Sequence, residues 1–315
     1  MPSRTASLAP MRLLTSPYLL LVLNMLIWSG NWIVGRWLRG EVTPLGLNFW
    51  RWSLVLAWLL PFTWRELWAQ RAAIRRDWMV LAALGVLGIS LFNFLLYLAL
   101  TQTTAVNGVL INTVIPVVIV VLSWLLLRER VTGLQGVGIG VSLLGVLVIV
   151  THADPAVLLR LHFNPGDLWA LLAVPVFALY SVLLRLRPKE LSPMAFLAAQ
   201  VVVGEAVMLP FSLWAHAMRP QVHLTVHVMI GLLYVSLLAS LVGLTLYNHG
   251  VAKLGASVAG LFLHLVPAFT TGLAWLFLGE RLRLYHLAGV ALVFTGIYLT
   301  TVAGRAKPVV EAPLP

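Results

Sequence analysis

Two ionisable side chains stand inside long apolar stretches of this chain: Arg51 and Glu205. A charge at the centre of a bilayer costs about 2.5–3.5 kcal/mol on insertion scales, so an intramembrane ion marks a site or a pair. Three chemistries fit them. They form a structural ion pair, or Arg51 clamps a substrate carboxylate with its planar fork, or Glu205 carries a coupling proton. Arg51 lies seven residues from the start of its apolar segment and Glu205 nine from the end of its own. At ~1.5 Å per residue the two depths differ by only a few Å, close enough to pair if the helices touch.

Other polar side chains recur at helical spacing. Asn24, Trp28, Asn31 and Gly35 follow one face of one segment. Ser90, Asn93, Tyr97 and Thr101 do so in a second, and Ser236, Ser240, Gly243 and Tyr247 in a third. Tyr180 occupies the place in the second half of the chain that Asn31 holds in the first. Polar groups at membrane depth face protein or water, so these faces read as cavity walls or as hydrogen-bonding glue between helices. Pro116 and Pro267 lie near the middle of their segments. A mid-helix proline removes a backbone bond and kinks the helix, which suits a hinge or a static bend. Asn112 and His264 stand within a turn of those prolines. The histidine titrates near neutrality and so relays a proton or donates to a carbonyl.

Glu129-Arg130 and Glu280-Arg281 end their helices at opposite membrane faces. They read as gate latches or as solvated helix ends. His223 and His227 have metal-ligand spacing, but no carboxylate is near them in sequence. They are therefore expected to be an interfacial pair, and no metal site is expected. Gly-rich phosphate loops and nucleophile elbows are missing, so neither ATP-driven transport nor catalysis is expected. With no cysteine, thiol chemistry and iron–sulfur clusters are out of reach.

The elements that carry these residues are apolar spans. The chain is 61% hydrophobic and 10% charged over 315 residues, against roughly half and a quarter for a soluble domain. Ten segments are long enough to cross a bilayer: 17–38, 44–64, 78–100, 105–127, 134–151, 166–186, 194–214, 226–250, 256–278 and 284–302. All must be helical, because lipid offers no partner for an open backbone. The net charge of +11 lies in short loops rather than in a basic run interleaved with aromatics, so no nucleic-acid partner is expected. Membrane lipid and a small-molecule substrate are.

The chain also repeats itself. Tyr97, Pro116 and Glu129-Arg130 recur as Tyr247, Pro267 and Glu280-Arg281, at offsets of 150, 151 and 151. Trp28 and Pro44 precede Phe177 and Pro193 by 149 residues. Five spans per half is an odd number, so the second half must be inverted relative to the first. This is the sequence sign of a secondary transporter with its site where the repeats meet. With the N-terminus in the cytoplasm, 14 Lys and Arg fall inside and 6 outside, which places both termini inside. Residues 1–16 are expected to be a cytoplasmic segment before an uncleaved first helix, and residues 303–315 a disordered cytoplasmic tail. The first repeat is expected over 17–151 and the second over 166–302. Gly136-x-x-x-Gly140 and the seven-spaced glycines of the fifth and tenth spans suit close helix packing or a homodimer seam.

The pattern Asn31-Trp32 … Arg36 … Pro44 … Phe49-Trp50-Arg51-Trp52 … Pro61 resembles EamA-type members of the drug/metabolite transporter superfamily. So do Tyr97-x-Ala99-Leu100 … Thr104-Ala105 … Pro116 … Arg128-Glu129-Arg130 and Gly255-Ala256 … Gly260 … Pro267 … Leu278-Gly279-Glu280-Arg281. The resemblance covers residues 17–303. It implies an all-α polytopic membrane protein with ten helices in two inverted five-helix repeats around a central cavity. It also implies a carrier without cofactor in the inner or plasma membrane, moving amino acids, purines, drugs or other metabolites, mostly outward. Ser257 departs from the basic residue often found after Ala256, so no substrate carries over from that position. The expected function is export of a small amphipathic metabolite, such as an amino acid, by alternating access. A drug or nucleotide-type exporter is the alternative within transport, and a lipid enzyme or a sensor lies outside it.

Overall fold

The computed structural model describes residues 16–38, 40–103, 105–129, 131–159, 164–218, 222–278 and 283–303. The predicted N-terminal segment, apart from Ser16, and the tail beyond Ala303 lie outside the described residues, as does Glu280.

Ten long helical segments form one bundle: α1 (Pro17–Trp37), α2 (Pro44–Ala69), α3 (Trp78–Gln102), α4 (Ala105–Asn112 and Ile115–Leu127), α5 (Gly133–Val150), α6 (Pro165–Leu186), α7 (Pro193–Met218), α8 (Val226–Leu254), α9 (Ala256–Leu261, Phe262–His264 and Leu265–Leu278) and α10 (Leu284–Tyr298). Nine of these regions are long and apolar enough to cross a membrane by length and composition alone. The exception is α2, where Asn48, Arg51, Arg65 and Glu66 interrupt the apolar run.

Local chemistry sets the helix starts. Thr43 Oγ1 accepts from Gly46 N at 3.0 Å, with Pro44 in the first turn of α2. Thr132 with Gln135, and Asn164 with Asp167, form capping boxes on α5 and α6. The hydropathy reading stops α2 at residue 64, whereas the helix runs to Ala69. Its last turns present Trp64, Trp68, Arg65 and Glu66, an interfacial rather than a lipid-buried composition.

Helix pairing obeys the two-fold relation that the repeat predicts. α1 packs on α8 and α9, and α6 packs on the mates of those two, α3 and α4. α2 packs on its own mate α7, and α5 on α10. In the α5–α10 seam, a Cβ on Gly138 would strike the Gly296 carbonyl, and one on Gly145 the Gly289 carbonyl. The seven-spaced glycines are therefore used within one chain. Gly136 and Gly140 have nothing within 4 Å of an added Cβ.

Two features have no signal in hydropathy. α3 contains a π-helical stretch, Gly85–Leu91, and α8 contains one at Tyr234–Val242, the matching place in the other repeat. Each shifts the ladder and leaves carbonyls for side chains to meet. Also, α4 and α9 do not merely kink at their prolines. α4 is broken at Thr113 and Val114 before Pro116, and α9 tightens to a 3₁₀ turn at Phe262–His264 before Pro267.

Candidate functional site

The π stretch of α3 is capped by asparagines. Asn93 Nδ2 donates to the Gly88 carbonyl, and Asn48 Nδ2 to those of Ile89 and Ser90. In the π stretch of α8, Trp28 Nε1 donates to the Ala239 carbonyl at 3.0 Å, and Ser240 Oγ to that of Val235 at 2.7 Å. The exposed backbone thus fixes Asn93, Trp28 and Ser240 around the bundle axis.

Arg51 completes this cluster. Its Nε donates to Ser240 Oγ at 2.7 Å, and its Nη1 donates to Asn93 Oδ1 at 3.1 Å and to the Tyr97 hydroxyl at 2.5 Å. Tyr97 in turn donates to Asn31 Oδ1 at 3.3 Å. The guanidinium carbon stands 5.2 Å from the Trp52 ring centroid and 5.7 Å from that of Tyr97, within cation–π range.

A cavity opens beside this cluster. It is walled by Trp28, Asn31, Trp32, Arg51, Trp52 and Asn93, with Phe92, Asn112, Phe177 and Pro267 also in contact. A smaller cavity lies beyond Tyr97, toward the end of the bundle where α1 finishes and α2 begins. The Tyr97 ring lines the smaller cavity while its hydroxyl holds two residues of the larger.

The mates of these residues pack solid. The Tyr180 hydroxyl lies 2.8 Å from Asn248 Oδ1 and 3.2 Å from Gln200 Oε1. The Tyr247 and Ser181 hydroxyls share a 2.8 Å bond. The Phe177 ring is 5.3 Å from Tyr247 and 5.8 Å from Tyr180. Tyr180, Tyr247, Ser181 and Gln200 have no exposed surface. A Cβ on Gly88 would overlap the Tyr180 ring, so that glycine permits the closure. Two related halves of one bundle are therefore packed differently, hollow at one end and filled at the other.

Of the ten residues expected at a cavity, five line it: Trp28, Asn31, Arg51, Asn93 and Asn112. Tyr97 stands behind Arg51, and Tyr180 and Tyr247 form the packed plug. His264 lies outside the lining. Its Nε2 donates to the Thr113 carbonyl at 3.1 Å, and its Nδ1 meets Ser142 Oγ at 2.8 Å. Sequence spacing misses Trp32, Phe92 and Phe177 as walls. Phe177 is visible only as the repeat mate of Trp28.

The expected Arg51–Glu205 ion pair does not form. The Glu205 Oε2 accepts from Ser53 Oγ at 3.0 Å, and its Oε1 has no partner among the described residues. Ser53 is two residues beyond Arg51, about 200° around α2. Arg51 and the Glu205 carboxylate therefore meet different sides of α2. Glu129 does cross between repeats, 3.5 Å from Arg185, with both side chains partly exposed. His227 also differs from expectation: the fold brings Glu41 to 2.5 Å from its Nε2. No group of three metal-ligating side chains occurs among the described residues.

Two interlocked repeats around a cavity at mid-bundle, in a chain of this hydropathy, define a polytopic membrane carrier fold. The chain belongs to the EamA-like transporter family, whose model matches residues 15–151 and 164–302. It is 25% identical over 279 residues to "Uncharacterized transporter YyaM" of Bacillus subtilis, covering 88% of this chain and 91% of that one. It is 28% identical over 230 residues to the "Probable terminal-alkyne amino-acid exporter" of Streptantibioticus cattleyicolor, covering 71% and 73%. A solved crystal structure superposes with a TM-score of 0.73 over 92% of this chain and 98% of its own, at 19% identity, which speaks to fold alone.

Proposed function

We propose that this protein is a secondary carrier that exports small amphipathic metabolites, amino acids among them, by alternating access. The observation that carries the reading is the one-sided cavity. Inverted repeats can exchange their packings, so the filled end centred on Tyr180 and Tyr247 becomes the hollow one as the end centred on Asn31 and Tyr97 closes. The breaks before Pro116 and Pro267 supply the hinges, and the Glu129–Arg185 pair is a latch on the filled end. The aromatic walls suit an apolar body. The name of the Streptantibioticus relative favours amino acids as the first class to try. The lysine and arginine bias supports a cytoplasmic location for both termini in a bacterial inner membrane.

The chain has no cysteine, so single thiols report cleanly. In oriented vesicles, Trp32→Cys should react with a membrane-impermeant maleimide from one face and Ser181→Cys from the other. Transported substrate should move the two labelling rates in opposite directions. Reaction of both from the same face, or no response to any pool that exchanges, defeats alternating access. Counterflow from vesicles loaded with pooled amino acids identifies the cargo class.

A further inference from the structure

We propose that the cavity selects a monoanion, a carboxylate on an apolar body, with Arg51 as its specificity-determining residue. The inference deepens the carrier reading and rests on it for the transport step after binding.

Charge balance is the first support. Arg51 is 3% exposed, and no carboxylate lies within ion-pair distance of it among the described residues. Its partners are an asparagine, a serine and a tyrosine, all neutral. Among the described residues, the cavity lining contains this one cation and no acid. A buried cation without a counter-ion is costly, and a bound anion removes that cost. A cationic ligand in the same space adds repulsion.

Unmet hydrogen bonding points the same way. Two bonds occupy Nη1 and one occupies Nε, whereas Nη2 makes none with the described residues. Trp52, which lines the cavity and is 1% exposed, has an Nε1–H buried with no acceptor. A carboxylate accepts from both kinds of donor. Among the fully buried side-chain acceptors of the described lining residues, Asn112 Oδ1 is the one left unpaired. With two lone pairs it falls short of the three donors of an ammonium.

The repeat supplies an internal control. The residue 149 positions after Arg51 is Gln200, in the same register as Trp28 with Phe177 and Pro44 with Pro193. Gln200 meets the packed cluster through a neutral amide whose Oε1 accepts from Tyr180, the mate of Asn31. The fold thus builds this corner without a charge in one repeat, and the cation in the other is surplus to packing. The neutral twin makes Arg51→Gln a variant that the architecture already accommodates.

Three ligands with one phenylethyl body isolate the charge: 3-phenylpropionate, phenylalanine and 2-phenylethylamine. Calorimetric titration into the full chain in phospholipid nanodiscs should give the tightest binding for the carboxylate, at least about tenfold over the amine, with the zwitterion between. Arg51→Gln should bring the three within about twofold of each other, and Arg51→Lys should keep the order. An amine that binds wild type as tightly as the carboxylate, binding of none of the three, or an unchanged order in Arg51→Gln overturns the proposal. Should Arg51→Gln not fold, the wild-type order decides. Counterflow of labelled 3-phenylpropionate separates the two readings. The expected binding order without flux of any ligand keeps the selectivity and defeats the carrier. Flux with the amine preferred keeps the carrier and defeats the selectivity.

Discussion

His264 Nε2 donates to the main-chain carbonyl of Thr113 across 3.1 Å, joining the break in α9 to the break in α4. A carbonyl only accepts, so Nε2 carries the hydrogen, and in the neutral ring Nδ1 accepts from Ser142 Oγ. The carbonyl is available because α4 is interrupted before Pro116. Of the two sequence readings of this residue, a proton relay or a donor to a carbonyl, the bond seen is the second, and it ties the two helix breaks together.

Removing that tie should loosen the contact between the two breaks. His264→Ala leaves a buried carbonyl and a buried hydroxyl unpaired and should cost about 1–3 kcal/mol. Thermal unfolding in detergent measures it. His264→Gln should recover part of the loss and leave any response of transport to an imposed pH step intact. Loss of that response with full stability would return the proton role to His264.

Glu205 has one described bond, from Ser53, and its second oxygen is unpaired. Glu205→Gln should retain counterflow and lose uptake driven by a pH step in proteoliposomes. An unaltered pH-driven uptake removes the acid from the coupling path.

Tyr97→Phe deletes the hydroxyl that joins Arg51 to Asn31 while keeping the ring over the smaller cavity. A bond to a charged group is worth about 1.5–3 kcal/mol. Counterflow should fall about tenfold and the melting temperature should drop. A rate equal to wild type means the hydroxyl does not position Arg51.

The glycines divide by what they touch. Gly296→Leu should unfold the protein at markedly lower temperature, because its Cβ meets the Gly138 carbonyl and the Ser142 backbone. Gly136→Leu, with open space around it, should leave the melting temperature within a degree or two. A change in oligomeric state on Gly136→Leu, read by light scattering, would give the outward glycines a dimer seam.

At the filled end, Arg76 bonds Asp77 and Glu190 at 2.7 and 2.8 Å. These bonds hold both carboxyls below their ordinary values of 3.8 and 4.5 and raise the guanidinium. Depressed acids stabilise the fold above their ordinary values and lose that contribution as pH falls through the lowered ones. Arg76 and Glu190 are exposed and Asp77 partly so, so salt should screen the effect. Arg76→Ala should therefore matter little at neutral pH in high salt, and labelling of Ser181→Cys at low salt is the sensitive readout. A large stability loss that salt does not weaken would contradict this.

Hydropathy runs of twenty residues and a repeat near 150 are properties of the chain itself. They settle the membrane class, the helical segments and the inverted halves, because lipid admits no other backbone. Helical spacing also places Trp28, Asn31, Asn93 and Tyr97 on inward faces. It does not choose their partners. Arg51 and Glu205 lie within a few Å of each other in depth by count along the sequence, yet Glu205 meets the other side of α2, and that is decided by how α2 is rotated against α3, α7 and α8. The π stretches of α3 and α8 shift every later side chain around its axis, and no hydropathy pattern announces them. The hollow end and the filled end come from repeats alike in sequence. Only the packing of one bundle in one state separates Asn31 and Arg51 beside a cavity from Tyr180 and Gln200 in a plug.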